Sequence, residues 1–126
     1  MLIVEDQPAD LHIAVDVVQS LGYSQIEARQ TTSAAQTYLE AAMEKRETLP
    51  DLIILDLDLG YESGHELLRF WHKNRNLLPV RVVVWTKLGH EQQNICKLFD
   101  VDAVVPKDLG ADALSAAIKP LTAKAG

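Results

Sequence analysis

The chain carries a single cysteine, Cys96, in 126 residues. An internal disulfide is therefore excluded, and a reducing cytoplasm suits the composition. No apolar run approaches the ~20 residues that a helix needs to cross a bilayer. No secretory leader is visible: the apolar stretch 2–4 is far too short, and Glu5 and Asp6 follow at once. Basic residues are in deficit, twelve against eighteen acidic ones, giving a net charge of −6. That balance argues against this domain gripping nucleic acid directly. His12, His65, His72 and His90 show no metal-ligand spacing and read as surface residues. There is no internal repeat and no low-complexity segment. What is present, 48% hydrophobic and 24% charged residues, describes an ordinary soluble chain large enough for one domain with a core. We expect that domain to span 1–126, with 121–126 as a tail or the start of a linker.

The stretch 52–56 organises the rest. Leu52, Ile53, Ile54 and Leu55 run straight into Asp56, with Pro50 before them and Gly60 after. So short an apolar run reads as a parallel strand covered on both faces, where alternation is not required. Similar strands are expected at 2–4, 82–85 and 103–105, with a weak edge strand at 25–28. Between them lie helical patterns. Pro8 suits a first helical turn, and Leu11, Ala14, Val15 and Val18 form one apolar face that stops at Gly22. Thr31, Thr32 or Ser33 can cap a second helix running to about residue 47. Ser63 can cap a third, with Leu67, Leu68 and Trp71 inward, closed by Leu78 and Pro79. A short helix is expected at 91–99. A last one opens at 108–111 and stops at Pro120. The order is (βα)₅: a doubly wound α/β fold with right-handed crossovers.

The informative residues stand where strands end. Glu5 and Asp6 end the first strand, Asp56 the third and Thr86 the fourth, and Lys107 follows the fifth. In a parallel sheet these ends share one edge, where ligands collect. Three carboxylates brought together repel one another unless a cation joins them. Oxygen ligands alone favour Mg²⁺, with Mn²⁺ as the alternative. A carboxylate beside such an ion, with a lysine and a hydroxyl near, suits phosphoryl transfer onto itself. Asp56 is then the nucleophile, and a carboxylate needs no separate base.

Taken together, Glu5-Asp6 after a short apolar strand, Asp56-Leu57-Asp58-Leu59 with Gly64 beyond, Val84-Trp85-Thr86 and Lys107 resemble the receiver domain of two-component response regulators. The resemblance covers essentially the whole chain. It implies a five-stranded sheet of order 2-1-3-4-5 and a signalling domain rather than a conventional enzyme. Asp56 matches the phosphoacceptor. Glu5 and Asp6 match the acidic pair that holds Mg²⁺, and Asp58 the position whose backbone carbonyl is a metal ligand. Thr86 matches the switch hydroxyl, and Lys107 the lysine that pairs with the phosphoryl group. A histidine kinase or histidine phosphotransfer protein is implied as donor. A downstream protein or output domain is implied as receiver of the signal, through the surface of the fourth helix, fifth strand and fifth helix. A phosphorylation-dependent homodimer is a further implied partner.

The chain departs from the family pattern at four places. Gly60 stands where proline is usual, and Asp108 where a cis-linked proline follows the lysine. A cis Lys107–Asp108 bond would cost ~3–4 kcal/mol, so a trans loop is expected there, with Lys107 free to aim differently. Val104 replaces a common aromatic, and Lys87 follows the switch threonine where a small residue is common. Lys87 either shields the site, contacts phosphate, or ion-pairs at the surface. These departures keep a phosphorylation-independent binding module as the main alternative. A haloacid-dehalogenase-type phosphohydrolase, suggested by Asp56-x-Asp58, would place that motif on its first strand. A flavodoxin-like electron carrier would need a phosphate loop where Glu5-Asp6-Gln7-Pro8 stands. Trp71 and Trp85 read as packing residues, and Cys96 as a small buried hydrophobe.

Overall fold

Apolar segments of three to six residues cannot bury themselves alone, so they pair and are covered from both sides. The computed structural model describes residues 1–60, 62–87 and 99–123. In chain order its elements are β1 (Leu2–Val4), α1 (Pro8–Ser20), β2 (Glu27–Arg29), α2 (Thr32–Glu44), a 3-10 turn (Arg46–Thr48), β3 (Leu52–Leu55), β4 (Asp58–Leu59), β5 (Glu62–Ser63), α3 (Gly64–Lys73), β6 (Arg81–Thr86), β7 (Ala103–Pro106), a second 3-10 turn (Lys107–Leu109) and α4 (Gly110–Ala123). Five strands form one parallel sheet in the order β2-β1-β3-β6-β7. That is the expected order, 2-1-3-4-5, of a doubly wound sheet.

Every residue of β1 and β3 is buried. The alternation missing from the sequence is present in space. Leu2, Val4, Ile53, Leu55, Val82 and Val84 face the layer of α2 and α3, packing against Leu39, Leu67, Leu68 and Trp71. Ile3, Ile54, Val83 and Trp85 face the layer of α1 and α4, against Ala14, Val18, Leu114 and Ile118. Each buried aliphatic side chain contributes ~1.5–3 kcal/mol and each backbone hydrogen bond a net ~0.5–1.5 kcal/mol. The two layers therefore hold these short strands more than the ladder does.

Local signals set the helix ends. Pro8 opens α1, and Gly22 follows it at φ +101°, a left-handed turn that glycine enters without strain. Thr31 Oγ1 accepts from the Ala34 amide at 3.1 Å and caps α2. Ser63 Oγ accepts from the His65 amide at 3.2 Å and caps α3. Thr32 Oγ1 donates to the Ser63 carbonyl at 3.0 Å and joins the two caps.

Several expectations are corrected. The edge strand lies at Glu27–Arg29 rather than 25–28. The second helix ends at Glu44, short of residue 47, and the third at Lys73, well before Leu78. A hairpin of β4 and β5 interrupts the loop after Asp56. The last helix passes through Pro120 to Ala123, so 121–123 are helical rather than tail. Proline in the final turn removes one donor where few bonds remain. Half-buried Leu121 packs on the α1 layer, and the Arg81 guanidinium donates to its carbonyl. The helix expected at 91–99, with Cys96 in it, and His90 lie outside the described residues, apart from Phe99.

Gly64 is a position where only glycine fits. A Cβ there would stand 2.4 Å from the Asp56 carbonyl oxygen and 2.8 Å from Leu57 Cα. Both are backbone and cannot rotate away. We expect Gly64→Ala to destabilise the domain by ~1–3 kcal/mol, the range for forced overpacking, measured by urea denaturation. Wild-type stability in Gly64→Ala would show that the backbone gives way to the added carbon and that the close approach does not exclude it.

Candidate functional site

The sheet delivers its acidic residues to one edge by continuing its own ladders. The Glu5 amide donates to the Arg29 carbonyl at 3.0 Å, and the Asp56 amide to the Val4 carbonyl at 3.0 Å. Backbone pairing thus aims both side chains before any ligand arrives. Glu5 is 1% exposed and Asp56 3% exposed, which is costly for carboxylates unless donors meet them. The donors are present. Asp56 Oδ1 accepts from the Asp58 amide at 3.0 Å, and Glu5 Oε2 from the Gln7 amide at 3.2 Å. Lys107 Nζ donates to Glu5 Oε1 at 2.6 Å, Asp10 Oδ2 at 2.8 Å and Asp56 Oδ2 at 2.8 Å. It also lies 5.1 Å from the centroid of the Trp85 ring.

Lys107 therefore reaches Asp56 although Asp108 follows it. The described residues contain no cis peptide bond, and the 3-10 turn at 107–109 carries the lysine instead. Gly60 adopts φ +70°, a conformation closed to the proline usual in the family. Val104 is half-buried and packs against the α2 and α3 layer.

Asp10 is the residue that sequence reasoning missed. It sits in the first turn of α1, four residues after Asp6, and so returns to the same edge. An acid in a first turn is ordinarily explained by the helix dipole. Here it is also the third acceptor of Lys107. His65 is a second correction. It is half-buried rather than a surface residue: Nδ1 lies 2.7 Å from Ser63 Oγ, and Nε2 is buried without a partner. Burial, then the nearby Arg69 charge, hold its imidazole below the usual histidine range. His12 and His72 are exposed as expected, and Trp71 and Trp85 are buried.

Oxygens of Glu5, Asp6 and Asp56 all lie within 4.8 Å of one another. Asp6 Oδ1 is buried with no hydrogen-bond partner. An all-oxygen cluster with an orphaned acceptor fits a hard divalent cation. Thr86 is fully buried at the end of β6, paired in register with Pro106, and its hydroxyl also lacks a partner. It bonds to none of the acids. Above Asp56 opens a cleft of about 510 Å³, lined among others by Asp6, Asp10, Asp58, Lys87 and Lys107.

Burial pushes the Glu5 carboxyl up to about 7 from an ordinary 4.5; Lys107 opposes the shift and Asp56 adds to it. The folded domain thus holds a proton at Glu5 between pH 4.5 and about 7 that the unfolded chain has lost, so stability without metal falls as pH rises through that window. A metal needs the ionised form, so its binding runs the other way. We expect the Mg²⁺ dissociation constant to fall about tenfold between pH 6 and pH 8, read by tryptophan fluorescence through Trp85. A flat profile over that range would mean that Glu5 takes no part in cation binding.

For Lys107, burial pulls the ammonium toward neutrality, but the hydrogen bonds it donates to Asp10, Asp56 and Glu5 outweigh this, and the group titrates above the ordinary lysine range. It is a fixed cation at any physiological pH.

A doubly wound sheet with clustered acids and a lysine gathered at the carboxyl ends of its strands defines a class of domain built to handle a phosphoryl group or a hard cation at that edge. Residues 1–119 match the response regulator receiver domain family, and the chain belongs to it. Its role is accordingly signalling within two-component phosphorelays. The phosphohydrolase and electron-carrier alternatives are not supported. Over 97 residues the chain is 30% identical to the polar-differentiation response regulator DivK of Brucella anthropi, covering 74% of this chain and 72% of that protein. The match to DivK of Brucella ovis is also 30%, over 86 residues, and spans 64% of that protein, just under two thirds. Among solved structures, the receiver domain of a signal transduction histidine kinase from Syntrophus aciditrophicus superposes with a TM-score of 0.79 at 26% identity, covering 98% of this chain and 89% of that one. The Mn²⁺-bound form of response regulator Rcp1 gives 0.72 at 26%, covering 97% and 90%. Among the described residues no helix is long and apolar enough to cross a membrane.

Proposed function

We propose that Asp56 accepts a phosphoryl group in a Mg²⁺-dependent reaction and that the phosphorylated domain switches a protein-binding surface. One observation carries this reading: the buried Asp56 carboxylate is held 2.8 Å from Lys107 Nζ, at the floor of an open cleft and inside a three-acid cluster. In the reaction a carboxylate oxygen of Asp56 forms a bond to phosphorus as the bond from phosphorus to the donor breaks. With a phosphohistidine donor that is the P–N bond, and its electron pair leaves on the imidazole. A bound divalent ion would supply charge neutralisation for the phosphoryl oxygens. Glu5, Asp6, Asp56 and the Asp58 carbonyl are the ligands we assign to it, with Mn²⁺ able to substitute. The Mn²⁺-bound relative supports that choice.

Lys107 balances charge at Asp56 before transfer and the phosphoryl group after it. The Thr86 hydroxyl, buried and unpartnered, is free to donate once phosphoryl oxygens arrive. The donor is a histidine kinase or a histidine phosphotransfer protein. The responding surface lies around β7 and α4, toward a downstream protein, an output domain or a second copy of the chain. We place this exchange in the cytoplasm, without direct nucleic-acid binding by this domain.

The decisive test is intact mass after incubation with acetyl phosphate, with and without Mg²⁺. The expected result is one phosphoryl adduct that requires Mg²⁺ and maps to Asp56. A folded, Mg²⁺-binding domain that forms no adduct would overturn the reading in favour of constitutive binding.

A further inference from the structure

We propose that Lys87 is a specificity-determining residue that captures the phosphoryl dianion of small phosphodonors, acyl phosphates and phosphoramidates, at the mouth of the cleft; this rests on Asp56 being the acceptor. The argument begins with what Lys107 cannot do. Its ammonium has three donors, and all three are committed, to Glu5, Asp10 and Asp56. It can meet an incoming phosphate only by releasing a carboxylate.

Among the described residues Lys87 carries the other ammonium in the cleft lining. It is exposed, and no carboxylate among the described residues lies within ion-pair distance of it. Its position is nonetheless fixed at the root, because Thr86 beside it is locked into the ladder opposite Pro106.

Charge decides the matter. Among the described residues Asp6, Asp10, Asp56 and Asp58 line the cleft, with Glu5 clustered beside Asp6 and Asp56, and Lys87 and Lys107 oppose them, so the acids are in excess. A divalent cation would offset part of that excess. Without Lys87 one more uncompensated negative charge would face an incoming dianion. The chain as a whole, at −6, offers no compensating attraction. An exposed lysine acts on the encounter and the bound ground state, so its effect belongs in KM rather than kcat.

The test is phosphorylation kinetics with acetyl phosphate and with phosphoramidate, in the wild type and in Lys87→Gln, Lys87→Arg and Lys87→Glu. Inorganic phosphate serves as a non-reacting competitor. We expect Lys87→Gln to raise KM about threefold to fivefold, the scale of one exposed ion pair, with kcat unchanged. Inhibition by phosphate should weaken in parallel, and the rise of KM with sodium chloride should flatten. Lys87→Arg should restore all three readouts, and Lys87→Glu should exceed the glutamine effect. Unaltered KM and salt dependence in Lys87→Gln would make the residue a solvated bystander and overturn the proposal. So would a fall in kcat at constant KM. Absence of any Asp56 adduct in the wild type is a separate result, visible by mass, and would overturn the acceptor assignment on which the proposal stands.

Discussion

Asp56→Asn should abolish the phosphoryl adduct outright while leaving the domain folded. Asparagine has the same shape but no anionic oxygen, so the nucleophile is gone. Retention of the fold follows from the hydrogen bonds. Asp56 accepts from two donors, the Asp58 amide at Oδ1 and Lys107 at Oδ2. The asparagine carbonyl can keep the first. Its NH₂ group must then face the Lys107 ammonium, donor against donor. Lys107 retains Glu5 and Asp10, so it is not left uncompensated. Removal of one of three clustered acids also relieves repulsion in the metal-free state. We therefore expect a thermal midpoint without metal that is unchanged or raised, and a weakened response to Mg²⁺. Adduct formation at wild-type rate in Asp56→Asn would sink the assignment. Loss of the adduct together with loss of the fold would leave the chemistry to be tested through the kinetics of Thr86→Ala, in which a hydroxyl that bonds nothing is removed.

The sheet was legible because burial on both faces forces an uninterrupted apolar run. Leu52 to Leu55 and Leu2 to Val4 cannot be anything solvent-facing, and the acids that end them stand out against that background. The same reasoning could not find the β4–β5 hairpin. Two-residue strands have no period, and their pairing depends on the left-handed Gly60. Pro120 looked like a stop because local propensity disfavours proline in a helix; the packing of Leu121 and its bond from Arg81 lie outside that local window. Asp10 was hidden for a different reason. Its role exists only when α1 folds back over the sheet edge and brings Lys107, 97 residues away in sequence, to 2.8 Å. His65 likewise shows no pattern of its own; its half-buried state comes from the α3 cap around Ser63. Residues that end strands declare themselves in sequence. Residues whose meaning comes from another element do not.

Lys107→Met tests whether the site is a charge-balanced cluster or merely a packed one. The lysine side chain is 7% exposed and its ammonium faces the buried carboxylates of Glu5 and Asp56. Methionine fills similar space, so little cavity is created. What is lost is the cation that bridges Glu5, Asp10 and Asp56. Removing one partner of a buried ion pair costs ~3–5 kcal/mol, because the remaining charge has no compensation. A domain of this size is stable by only ~5–15 kcal/mol in total, so the loss should be plain in urea denaturation.

Two dependences separate charge from packing. The first is pH. Without the ammonium, Glu5 loses the partner that opposes its upward shift and holds its proton further into the neutral range. Protonated, it carries no uncompensated charge, so the penalty of Lys107→Met should shrink at pH 6 and grow at pH 8. The second is metal. A divalent ion on Glu5, Asp6 and Asp56 replaces the missing positive charge. At 100 times its dissociation constant a ligand adds ~2.7 kcal/mol of stability, and the variant, freed of a competing cation, should bind Mg²⁺ more tightly than the wild type. We expect Mg²⁺ to restore more than half of the lost stability at pH 8. A loss that ignores both pH and Mg²⁺ would mean that Lys107 serves packing alone, and that the three acids are held together by something other than its charge.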